Sequence, residues 1–344
     1  MNVQEARAFA GEWVEQYGSR FPGYCGAYLS GSFLQASSHD TWPETSDVDI
    51  VLVIDAGHSQ IKPGKFHYRG VLLEVTLILK QEYASHEHIL TTHYLAYALH
   101  IDGILADPQG WLKPLHCEIK AQYAKDYWVR KRCQSFFARI RDDVARFDKD
   151  APFHEQVTRW LFPTGITTFP ILAAALQNCT VRKRYTAARM VLEAYGLMDF
   201  YPRLIHMLTG DTLKEDHLPG HLQELEITFD LAVKTSGPSV HYPFRSDISQ
   251  TSRSIAIDGC RELIESAYPA EAVFWMAATF ARCHAILSMD APDMHQKRLP
   301  AFQAFMSAIG ITGPEAIVRR NQKLLAFLPE VQLVTEDIIQ KRCL

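Results

Sequence analysis

The tightest constraint in this chain is the run Ser46-Asp47-Val48-Asp49-Ile50-Val51-Leu52-Val53, where two carboxylates one residue apart open an apolar segment. A β-strand sends alternate side chains to one face, so Asp47 and Asp49 share a face while Val48 and Ile50 turn into a core. Two carboxylates held that way repel unless a cation lies between them. Magnesium, a hard ion that takes oxygen ligands, suits such a pair. Val71 to Leu79 is a second apolar, β-branched run and carries one acid, Glu74. A charge there needs an ion, a solvent-lined cleft or a counter-charge. Glu74 therefore reads either as a metal ligand or general base beside the aspartates, or as an edge-strand acid paired with Arg69 or Lys65. Upstream, Gly31-Ser32 closes a strand over 24–30 and starts a brief helix. It is either an ordinary turn or a notch where phosphate meets the backbone, with Ser32 and the following amides as donors.

Taken in order along the chain, Gly31-Ser32, Asp47-Val48-Asp49 and Glu74 resemble the polymerase-β-type nucleotidyltransferase superfamily, most closely its aminoglycoside-type, small-molecule members. Ile104-Leu105-Ala106-Asp107-Pro108-Gln109-Gly110 is similar to the short strand ending in Asp-Pro-x-Gly that closes the catalytic domain in many of them. The resemblance covers roughly the first third of the chain. One departure is the long segment from Phe33 to Ser46, containing Trp42-Pro43, expected as an insertion over the site.

The resemblance implies an α/β (α+β) nucleotidyltransferase domain with a small mixed sheet over 1–115. A larger all-helical, substrate-binding domain would follow over 116–344. It implies magnesium-dependent transfer of a nucleoside monophosphate, AMP from ATP, to a hydroxyl of a small acceptor such as an aminoglycoside-like antibiotic, with release of pyrophosphate. Asp47, Asp49 and Glu74 would hold two Mg2+ ions, Glu74 serving as ligand or as base. Gly31 and Ser32 would meet the triphosphate. Two other readings stay open: transfer to protein or tRNA, as in toxin–antitoxin members, and a catalytically silent nucleotide-binding relative. Some members build their site across a dimer, so a homodimer falls within what is implied.

Beyond Leu112 the pattern is helical, with candidate helices at 118–148, 154–178, 181–197, 200–209, 216–235, 248–267, 270–288, 296–309 and 313–328. Asp150-Ala151-Pro152, Gly210-Asp211, Gly313-Pro314 and Leu328-Pro329 separate some of them, and the stretch from Thr235 to Ser246 reads as a linker. Positive charge for the triphosphate is expected from Arg182-Lys183-Arg184, with Tyr185 placed to stack on a base. The other reading is a solvated helix start. Arg130-Lys131-Arg132 is a second such cluster, although three consecutive residues cannot all face one ligand on a helix. His86-Glu87-His88 with His93 lacks zincin spacing and reads as a solvated helix start.

Acids outnumber bases, 39 to 35, for a net charge of -4, which argues against a general nucleic-acid binder. At 344 residues there is length for two domains. Seven cysteines without a Cys-x-x-Cys pair suit reduced thiols in a cytoplasmic protein. The residues from Met1 onward do not read as a signal peptide. No apolar stretch is expected to span a bilayer.

Overall fold

The computed structural model describes residues 1–55, 62–237 and 244–342. Ala56, Gly57 and His58, expected to end a strand, lie outside these residues, as do Cys343 and the middle of the expected 235–246 linker. The protein is a mixed α/β chain with a small five-stranded mixed sheet and many helices. It divides into two units, Met1–Cys133 with Leu176–Thr180, and Gln134–Ala175 with Val181–Leu344.

In the first unit the strands are β1 (Tyr24–Ser30), β2 (Val48–Ile54), β3 (Gly64–Tyr68), β4 (Val71–Leu79) and β5 (Ile104–Ala106), in the order β3-β4-β2-β1-β5. Only β2 and β4 run parallel. β2 has apolar side chains on both faces, as a strand covered on both sides requires. Val48, Ile50 and Leu52 pack with Leu73 and Val75 against helix α1 (Val3–Gln16), whose Ala6, Ala10, Trp13 and Val14 form its buried stripe. Asn2 and Glu5 close a capping box at its start. Val51 and Val53 face the other way. They meet a second core that includes Tyr83, Ile89, Leu95, Leu99, Leu112 and Ile119. Apart from Tyr83, these residues lie on α2 (His86–Thr91), α3 (His93–His100) and α4 (Leu112–Tyr123). By the two-residue period, Asp49 lies on this second face.

Asp107 accepts from the backbone N–H groups of Trp111 and Lys113 at 3.0 Å each, so the Asp-Pro-x-Gly segment is the start signal of α4. The brief helix expected at Gly31-Ser32 is a 3-10 helix, Gly31–Gln35. The 33–46 stretch is tied to the N-terminus: Thr41 bridges Asn2, Val3 N–H donates to the Asp40 carbonyl, and Trp42 packs edge-on against Phe33.

α5 (Asp126–Ala145) contains the division between the units. Beyond it come α6 (Phe153–Ile166), α7 (Thr168–Ala174), α8 (Arg184–Ala194), α9 (Tyr201–Thr209), α10 (Leu218–Thr235), α11 (Gly259–Ile264), α12 (Val273–Asp290), α13 (Pro292–Ala308) and α14 (Pro314–Arg342). The helices depart from expectation at several points, the expected 118–148 helix being divided between α4 and α5. The expected 154–178 helix breaks at Thr167, whose hydroxyl donates to the Thr164 carbonyl, three residues before Pro170. The expected 248–267 helix is a 3-10 turn and a π-helical turn before α11. The expected stop at Pro329 is overrun, because Val331, Thr335, Ile338 and Ile339 continue the buried stripe of α14. Burying such side chains is worth about 1.5–3 kcal/mol each, which outweighs a helix-interior proline at about 3 kcal/mol.

Among the described residues one helical stretch, Pro269–Asp290, is long and apolar enough to cross a bilayer, contrary to expectation; 78% of its apolar window is buried within the protein. Six cysteines among the described residues are free thiols.

Ile50 is fully buried between β2 and α1. Ile50→Ala is expected to cost about 2–5 kcal/mol, read as a lowered denaturant midpoint at unchanged slope.

Candidate metal centre

Backbone pairing assembles the site. In the sheet Lys65 pairs with Glu74, Glu74 with Asp49, and Asp49 with Ser30, a single transverse row across four strands. Glu74 therefore lies on the same face as Asp49. β4 is interior, not an edge strand. The two-residue turn at Arg69-Gly70 sets the β3–β4 register, both residues having positive φ, 49° and 82°. Asp47 enters just before β2, and one oxygen each from Asp47, Asp49 and Glu74 lie within 4.8 Å of one another. Two like charges at that separation repel by on the order of 3–4 kcal/mol at an effective dielectric of 20.

Two lysines answer part of this charge. Lys65 Nζ bridges Asp47 Oδ2, at 3.1 Å, and Glu74 Oε2, with only 6% of its side chain exposed. Lys62 Nζ reaches Glu74 Oε1 at 2.6 Å. Arg69, the other partner considered for Glu74, pairs with Glu12. Burial raises the Glu74 pKa, but Lys65 and Lys62 outweigh it and hold the carboxyl at about 2. A group so acidic is a poor proton acceptor, so Glu74 is not suited to the role of general base. Burial also raises Asp47, against the opposing pull of Lys65.

Asp49 is different. Among the described residues neither lysine forms an ion pair with it. Burial pushes its pKa well up, and the charges of Asp47 and Glu74 push it further. The donor set is three carboxylates with one member lacking a counter-ion, which suits a hard divalent cation.

Gly31 is part of the same construction. At φ 66° a Cβ would collide with Asp49 Oδ2 and lie 2.8 Å from its Cγ. Only glycine permits that conformation cheaply and leaves space for the carboxylate. Ser32, next to it, is exposed.

The expected basic residues lie in the second unit. Arg182 donates to the Gly259 carbonyl at 3.2 Å and approaches Glu262 at 3.9 Å. Burial, then the Arg182 charge, lowers the pKa of Lys183. Arg184 and Tyr185 are core residues: Arg184 lies 3.8 Å over the Phe274 ring, and Tyr185 is 1% exposed, which removes it as a base-stacking platform. In the first unit Arg132 is buried and donates to the carbonyls of Leu90 and Tyr123. His86 pairs with Glu118 and His88 with Glu82 around a Ser85-capped helix start.

Sequence reasoning did not give Lys62 a role, and it named Lys65 only as an alternative to a functional Glu74. The signal for Lys65 was present, since a two-residue turn at 69–70 places 65 opposite 74. No family model, curated protein or solved structure matches this chain.

A group whose pKa is raised on folding stabilises the fold below its ordinary pKa and loses that contribution as pH rises through the raised value. Asp49→Asn is therefore expected to melt above wild type at pH 8 without metal, the gap closing toward pH 4. Mg2+ or Mn2+ should raise the melting temperature of wild type and leave the variant unchanged. Equal pH profiles and equal metal responses would remove Asp49 from the site. Gly31→Ala should lose at least about 1 kcal/mol through its left-handed backbone alone. It should also weaken Mn2+ binding in a titration by displacing Asp49.

Proposed function

We propose that this chain is a magnesium-dependent nucleotidyltransferase of the polymerase-β type, moving AMP from ATP to a hydroxyl of a small acceptor. The observation that supports it is the meeting of two separate sequence motifs: the Gly31 turn is packed on the Asp49 carboxylate, and Asp49 lies beside Asp47 and Glu74. A glycine turn packed on a three-carboxylate cluster, with an exposed Ser32 beside it, suits a triphosphate bound with its metal ion.

Asp47 and Asp49 would hold the cation. The chemistry such a cation would supply there is Lewis-acid neutralisation of phosphate charge. Gly31 leaves room for the Asp49 carboxylate, and the exposed Ser32 hydroxyl would donate to the phosphates. Glu74, kept ionised by its two lysines, holds those ammonium groups at the site and does not take the acceptor's proton. The hydroxyl oxygen bonds to the α-phosphorus, the bond from phosphorus to the bridging oxygen breaks, pyrophosphate departs, and the proton passes to solvent. Alignment and charge neutralisation supply the acceleration.

The test is α-labelled ATP with Mg2+ and a panel of aminoglycosides and other polyols, followed by pyrophosphate release and label transfer. Label should move to a small molecule. Asp47→Asn and Asp49→Asn should each lower the rate by on the order of 10²-fold or more, with folding intact by circular dichroism. Label on protein or RNA would replace the acceptor class, and full metal-dependent activity in both variants would overturn the site.

A further inference from the structure

We propose that Lys65 is a built-in cation of this site: its ammonium takes the place that a second divalent ion would occupy between Asp47 and Glu74, so the protein holds one metal ion and not two. The inference rests on the nucleotidyltransferase reading in taking the acidic cluster to be a metal centre.

Position is the first ground. Lys65 Nζ contacts one oxygen of Asp47 and one of Glu74, and these two acids belong to the cluster whose oxygens lie within 4.8 Å. An ion bridging the same two carboxylates would need that space.

Confinement is the second. The side chain is 6% exposed and leaves from an interior-paired position of β3, opposite Glu74. A metal ion displacing it would have to draw the ammonium away from both carboxylates, and breaking a buried ion pair is strongly unfavourable. Lys62 is not confined in this way. Its side chain is 35% exposed and touches only Glu74 within the cluster.

Charge is the third. Three carboxylates against two ammonium groups leave one negative charge, and the acid without an ion-paired lysine is Asp49. One divalent ion on the Asp49 side, shared with Asp47, answers that imbalance. A second would leave a surplus of three positive charges before any nucleotide arrived.

The experiment counts ions rather than turnover. Mn2+ binding to the full chain is measured by equilibrium dialysis and electron paramagnetic resonance, with and without a non-hydrolysable ATP analogue. Wild type should bind one Mn2+ per chain and show no dipolar coupling between manganese ions. Lys65→Met, which keeps the aliphatic stem, should bind two, with the coupled spectrum of a close pair. Lys62→Met should still bind one. Two ions in wild type, or one in both wild type and Lys65→Met, overturns the role of Lys65 while leaving the metal centre in place. No ion in wild type overturns the metal reading itself. Should Lys65→Met fail to fold, Lys65→Gln serves as the second variant, and the wild-type count alone still decides against the proposal if it is two.

Discussion

Negative charge held in one place by backbone pairing is the constraint on which the first unit depends. Asp49, Glu74 and Lys65 are not neighbours in sequence. The ladders of three adjacent strands put them side by side, and each ladder is fixed in turn by the apolar residues that alternate with them. Burying three carboxylates together is unfavourable, and the fold offsets it only in part, with one confined lysine and one partly exposed lysine. Asp49 carries the remainder. A carboxylate in that state is relieved either by taking up a proton or by a cation beside it.

The balance also separates the acids by task. Glu74 and Asp49 sit one strand apart in the same row, yet their carboxyl groups are driven in opposite directions, Glu74 down by its lysines and Asp49 up by burial and by its neighbours. Groups with divergent acidity in one cluster are characteristic of functional sites. Here the divergence leaves Glu74 neutralised by its lysines and Asp49 without an ion-paired lysine.

How much of this was legible beforehand follows from the range over which each signal acts. The five strands and the acid set were readable because strand periodicity and a two-residue hairpin turn are local. Gly31 was readable as a notch, but its contact with Asp49 depends on how β1 lies against β2, a non-local fact. Tyr185 shows the limit in the other direction: beside three basic residues it looked like part of a binding face, and tertiary packing placed it in a core. Pro329 failed as a stop signal for a related reason, since the buried stripe of α14 outlasts the penalty of one proline. Nothing in local sequence reports the strength of packing that has yet to form.

The hairpin turn at Arg69-Gly70 has a reach well beyond its two residues. Successive side chains on a strand alternate faces, so a one-residue slip of β3 against β4, with β4 unmoved, would turn Lys65 to the α1 side of the sheet and bring Phe66 or Gly64 opposite Glu74. The acids would then face each other without their internal counter-ion. The charge balance of the acidic cluster thus depends partly on the register that one two-residue turn sets.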